Sequence, residues 1–147
     1  MTTRLADGKT LAPQRKAAPV GGDSRAPSPN PNPLAVALGV FDLAASGLGL
    51  TIEDRLKLLN LGRSKYFELR VQVDPVLDVD RRDRLGYFLA IYELSGRLVG
   101  APGAWLKAAN RAPLFSGKPP LERILRGRME DLIATLTYLQ GTYGGWA

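Results

Sequence analysis

A chain of 147 residues with neither cysteine nor histidine has room for one domain, or for two very small ones and a tail. It has no access to disulfides, thiolate metal sites, imidazole ligands, or Ser-His and Cys-His nucleophile pairs. Its formal charge of +6 favours an acidic partner, with nucleic acid the first candidate.

Carboxylate-only catalysis would need clustered acids. Glu53, Asp54, Asp78, Asp80, Asp83, Glu122, Glu130 and Asp131 instead read as helix-start and surface residues. An enzyme, a metal site and a resident cofactor are therefore not expected. No apolar run approaches the roughly 20 residues that span a bilayer, and the basic N-terminus lacks the apolar core of a secretory signal. A cytoplasmic protein with no membrane partner is expected.

Residues 1–33 carry Pro13, Pro19, Pro27, Pro29, Pro31 and Pro33 and almost no large apolar side chains. Such a segment cannot bury enough surface to offset its ordering entropy, so a disordered, modestly basic leader is expected. Order should begin near Leu34. Leu34, Leu38 and Phe41 follow helical spacing, and Gly47 and Gly49 end the segment. Thr51 then caps a second helix, with Glu53 and Asp54 in its first turn and Ile52, Leu56 and Leu59 inward.

After Leu61-Gly62 a third helix should run from about Arg63 to Val71, with Phe67 and Val71 facing inward. The pair has the shape of a helix-turn-helix. Arg63, Ser64, Lys65 and Arg70 would supply donors to bases and phosphates, and Tyr66 a further backbone contact. An ordinary helical hairpin with a charged outer face is the competing reading.

Asp74-Pro75 marks a loop, and Asp80 opens the longest helix, to about Val99, with Leu85, Phe88, Leu89, Tyr92 and Val99 as its apolar stripe. Arg81, Arg82 and Arg84 crowd its first turn against the helix dipole. A short helix at 104–109, a loop through Pro113 and Gly117, a second short helix from Pro120, and a last amphipathic helix from Met129 to Gln140 complete the pattern. In that last helix Leu132, Ile133, Leu136 and Leu139 are expected inward. Leu132, Ile133, Leu136 and Tyr138 lie on wide faces that favour self-pairing. No segment of useful length has strand period, so the fold class is all-α.

Trp105 and Leu106 read as core. Gly117-Lys118-Pro119-Pro120 lacks the spacing and following hydroxyl of a phosphate loop. Arg123, Arg126 and Arg128 form a basic cluster that faces solvent, a protein partner or DNA. The chain then closes with Gly141-Thr142-Tyr143-Gly144-Gly145-Trp146-Ala147, two aromatic rings on glycine-loosened backbone beside a terminal carboxylate. Such a tail suits either entry into a narrow cleft or a frayed end whose Trp146 packs back on its own domain.

The C-terminal third also resembles a known family. Ala104-Trp105-Leu106, Asn110, Leu114-Phe115-Ser116-Gly117-Lys118-Pro119-Pro120-Leu121, Ile124-Leu125 and Leu136…Leu139-Gln140-Gly141 are similar to the toxin-binding domain of Xre/MbcA/ParS antitoxins. Two positions depart from that pattern. Ala109-Asn110 stands where the family has Pro-Asn, and Arg128-Met129-Glu130 replaces a Gly-Glu, with the glycine at Gly127.

The leader at 1–33 has no counterpart in that family; after it the resemblance implies two regions, an Xre-like helical domain with a helix-turn-helix at 34–100 and a toxin-binding domain at 101–147. It implies an antitoxin that binds a RES-domain toxin, an enzyme that consumes NAD or transfers ADP-ribose from it. Tyr143, Gly144, Gly145, Trp146 and Ala147, helped by Arg123 and Arg126, would occlude the toxin's active site. It further implies a homodimer within a larger complex, and repression through operator DNA. A DNA-binding regulator without a toxin and an orphan adaptor are the alternatives.

Overall fold

The computed structural model describes residues 31–143, with side chains to Thr142. Residues 1–30 of the expected disordered leader and the residues Gly144 to Ala147 lie outside the described residues, whereas Asn32 and Pro33, expected in the leader, cap and open the first described helix. Among the described residues seven helices follow one another: α1 (Pro33–Leu48), α2 (Ile52–Leu59), α3 (Arg63–Val71), α4 (Val79–Val99), α5 (Ala104–Lys107), α6 (Pro120–Ile124) and α7 (Met129–Tyr143). There is no strand among the described residues, and the fold is an all-α helical bundle.

Local chemistry sets most boundaries. Asn32 caps α1, its side chain accepting from the amides of Leu34 and Ala35, and Pro33 occupies the first turn. Gly49 ends α1 in the left-handed region. Thr51 and Asp54 form a reciprocal capping box on α2. Gly100 ends α4 with φ 72°. The helix expected from Asp80 starts one residue earlier, at Val79, and α7 runs three residues past Gln140.

From Asn32 onward the described chain packs as one compact unit. Its axis is α4, which touches α1, α2, α5 and α7, most extensively α7. The stretches expected as separate regions, 34–100 and 101–147, therefore share one core. Phe41 of α1 meets Phe88 of α4 edge-on, centroids 5.3 Å apart, and both rings are fully buried. Leu58, Leu59, Ile91, Leu106, Ile124, Leu132 and Leu139 complete the fully buried set of large aliphatic side chains.

Several facing expectations are corrected. On α3 the buried residues are Tyr66 and Leu69, whereas Phe67 and Val71 are exposed. The α3 helix turns its apolar pair outward because the Tyr66 hydroxyl finds partners inside. It donates to Asp42 Oδ1 at 3.0 Å and accepts from Arg70 Nη1 at 3.0 Å. On α4, Ile91, Ser95 and Arg84 are buried and Val99 is exposed. On α7, Asp131, Leu132, Thr135 and Leu139 form the buried face and Ile133 is exposed. Leu136 and Tyr138 are half-buried in this bundle, so Ile133 alone of the expected self-pairing residues is exposed.

The arginines crowding the start of α4 work on other helices. Arg81 Nε donates to the Asn60 carbonyl at 2.7 Å, and Arg84 Nη1 donates to the Gly127 carbonyl at 2.8 Å. Each satisfies a carbonyl at a chain turn, the first at the negative end of α2. Arg81 also donates to Asp78 and holds that carboxyl below the usual aspartate range. The stability from this contact is present at neutral pH and lost as pH falls through that lowered value.

Two glycines separate conformational need from habit. Gly103 has φ 83°, and a Cβ there would lie 2.8 Å from Leu48 Cδ2, so the entry to α5 passes against the end of α1. Gly62, in the turn before α3, has φ −78° and open space around it; the left-handed residue of that turn is Asn60. Gly103→Ala should cost about 1–3 kcal/mol in urea unfolding. Gly62→Ala should stay within about 0.5 kcal/mol of the parent.

Candidate functional site

The residues that carry the C-terminal motif assemble into one small module of α5, α6, α7 and the loop between α5 and α6. Trp105 stacks on Tyr138 (6.2 Å, 22°), and Phe115 meets both rings edge-on at 5.6 and 5.2 Å. Leu106, the next residue, is fully buried in the core. Asn110 closes the loop twice over. Its backbone pairs with Lys118 and Gly117, N to O at 3.2 Å and O from N at 2.8 Å. Its side chain accepts from the Ala112 amide at 2.9 Å.

Gly117 adopts φ 81°, directly after Ser116 at φ 54°. Pro120 is buried in the first turn of α6, where its missing amide costs nothing. Each motif residue thus has a structural task inside the module.

Charge holds the module shut. Asp131 is fully buried at the start of α7 between two guanidiniums. Its Oδ1 faces Arg123 Nε at 3.0 Å, and its Oδ2 faces Arg128 Nε at 3.0 Å. The first contact is an ion pair without hydrogen-bond alignment; the second is a hydrogen bond. That bond, with the Asp131 and Glu130 charges, raises the Arg128 guanidinium above its ordinary value. Arg123 Nη1 donates to the Leu114 carbonyl at 2.9 Å. The Thr135 hydroxyl, also fully buried, donates back to the Asp131 carbonyl at 2.8 Å.

Arg123, expected as a partner contact, is therefore chiefly a structural tie between α6, the loop and α7. Arg126 is exposed and has no ion pair among the described residues. The Tyr143 side chain, and the whole of Gly144, Gly145, Trp146 and Ala147, lie outside the described residues. Helix α7 delivers the chain to them at Tyr143.

The expected DNA-contact residues scatter. Arg63, Ser64 and Lys65 are exposed on the first turn of α3. Arg63 pairs with Glu53, and Lys65 lies 4.0 Å from Glu68. Tyr66 is buried and is corrected to a core residue, since burying its ring with a satisfied hydroxyl outweighs solvent exposure. Arg70 is tied to Asp42 at 2.6 Å with its guanidinium 5.5 Å from the Tyr66 ring centroid. The polar outer face of α3 thus keeps Arg63, Ser64 and Lys65 from the expected set, and it also shows Phe67 and Val71.

Among the described residues no cluster of acids could hold a metal ion, and no helix is long and apolar enough to cross a membrane. The buried Asp131 and its two guanidiniums were missed from sequence. The one available signal was the i, i+3 spacing of Arg128 and Asp131 at a helix start.

No family model matches the chain. Over 131 residues it is 28% identical to the uncharacterized protein y4oB of Sinorhizobium fredii (strain NBRC 101917 / NGR234), a match covering 86% of this chain and 98% of that protein. The similarity therefore spans most of the bundle.

Asp131→Asn removes the charge from a buried site facing two guanidiniums and should cost about 3 kcal/mol in chemical unfolding. Glu130→Gln, next to it and exposed, should change stability by less than about 0.5 kcal/mol.

Proposed function

We propose that the chain is the antitoxin of a toxin–antitoxin pair. It binds a RES-domain, NAD-consuming enzyme and neutralises it by laying residues 143–147 across that enzyme's active site. The observation that carries this reading is the convergence of Trp105, Asn110, Gly117 and Pro120, the residues of the antitoxin resemblance, in one closed module whose last helix leads into the tail. The tail sequence fits the task. Tyr143 and Trp146 offer large contact area with few rotors, and Gly144-Gly145 lets backbone enter a narrow cleft. A closed module tied by the Asp131 ion pairs provides a base for the anchor residues.

The test is co-expression with a RES-type enzyme, reading cell growth and NAD level. The full chain should protect. A chain ending at Thr142 should fold with the same helical spectrum and bind the enzyme at least about 100-fold more weakly. Equal protection by the truncated chain would place neutralisation in the body of the module and overturn the plug.

A second role, repression through operator DNA, draws on the exposure of Arg63, Ser64 and Lys65 on the first turn of α3. Exposed ion pairs such as Arg63–Glu53 contribute little, so a phosphate can displace them. Arg63→Glu with Lys65→Glu should weaken binding to the operon's own promoter and reduce the slope of log K against log salt by about two. An unchanged slope would leave α2 and α3 as a helical hairpin with a charged surface.

A further inference from the structure

Beside the aromatic cluster, the α5–α6 loop and α6 enclose a pocket of about 190 Å³. Its wall is divided. Leu114 and Pro119 supply a small apolar area beside the nearly buried Phe115, Lys118, Arg123 and Arg126 supply cations, and Glu122 adds a carboxylate next to Lys118. Arg123 is held in place from two sides, by the Leu114 carbonyl at 2.9 Å and by buried Asp131 at 3.0 Å. Its Nη2 is left over.

Charge in and around this pocket does not balance. Lys118 is matched by Glu122 at 3.8 Å, and Arg128 by Glu130 at 3.7 Å. Asp131 is shared between Arg123 and Arg128. Arg126 has no acidic partner among the described residues. A surplus guanidinium beside a second, fixed one suits an oxyanion, and the small apolar area of Leu114 and Pro119 accommodates a short hydrocarbon stem. Fixing Arg123 in advance removes much of the ordering cost of a bidentate contact.

We propose that this pocket is a binding site for a short-chain carboxylate, with Arg126 and the free edge of Arg123 gripping the oxygens while Leu114 and Pro119 cover the methylenes. The site holds whether or not the chain neutralises a toxin. Its carboxylate has two possible sources, a glutamate side chain of a protein partner or a free dicarboxylate.

The test uses the full chain labelled with ¹⁵N and follows the arginine Nε–Hε signals. Glutarate should shift the Arg123 and Arg126 signals saturably, whereas sodium chloride at equal ionic strength should not. Arg126→Gln, at an exposed position, should keep the backbone spectrum and weaken glutarate at least about tenfold. Lys118→Gln should weaken it less. The blocked tripeptide acetyl-Leu-Glu-Leu-amide separates the sources. Tighter binding of the peptide assigns a partner's side chain, and tighter binding of glutarate assigns a free dicarboxylate. Linear, salt-like shifts, equal glutarate affinity in Arg126→Gln, or saturation by inorganic phosphate with none by glutarate would each overturn the proposal.

Discussion

A helix that packs on one neighbour can leave the rest of its circumference to water, but α4 packs on four, α1, α2, α5 and α7. Over 21 residues it must therefore be apolar or satisfied on most of its surface. Phe88, Leu85 and Ile91 meet the demand with hydrocarbon. Ser95 meets it with a bond to the Tyr92 carbonyl, and Arg84 by donating to Asp80 and to the Gly127 carbonyl. The second of these Arg84 bonds reaches from the first turns of α4 to the turn that launches α7. The bundle has no need of a domain boundary at 100, because the helix on one side of it is the floor of the module on the other.

The same constraint explains what sequence patterning could and could not reveal. Helix ends were legible because they are local. Thr51 caps α2, Gly49 and Gly100 take left-handed conformations, and Pro120 starts α6, each through contacts within a few residues. Helix facing was less legible because it is decided elsewhere. On α3, Tyr66 with Leu69 and Phe67 with Val71 both obey helical spacing, and apolar content favours the second pair. Asp42, on α1, decides for the first by accepting the Tyr66 hydroxyl. On α7, Asp131 and Thr135 displace Ile133 from the inner face for the same kind of reason: two guanidiniums and a backbone carbonyl satisfy them there.

The positive charge also reads differently once partners are visible. A net charge of +6 invites a nucleic-acid surface. Yet Arg55, Arg70, Arg81, Arg84, Arg123 and Arg128 are all engaged in ties between or along helices. Guanidiniums suit this task, since one group can serve a carboxylate and a carbonyl at once. Much of the basic character is thus structural cement. Arg126, exposed and without an ion pair among the described residues, is a cation left over from this work.

Some motif residues hold the C-terminal module together, and others stand on its surface. Trp105, Asn110, Gly117 and Pro120 are occupied with stacking, loop closure, a left-handed turn and a helix start. A residue so occupied reports how a module folds, and it contributes to recognition only by placing other groups. On the readings proposed above, recognition falls to residues the module leaves available: the tail beyond Thr142 and the cationic rim at Lys118 and Arg126. These two sets differ in chemistry, aromatic plug against oxyanion grip, and so can diverge independently while the scaffold that positions both stays fixed. That division is why a resemblance resting mainly on scaffold residues speaks first to how the module is built, and to a partner only through the groups that the scaffold positions.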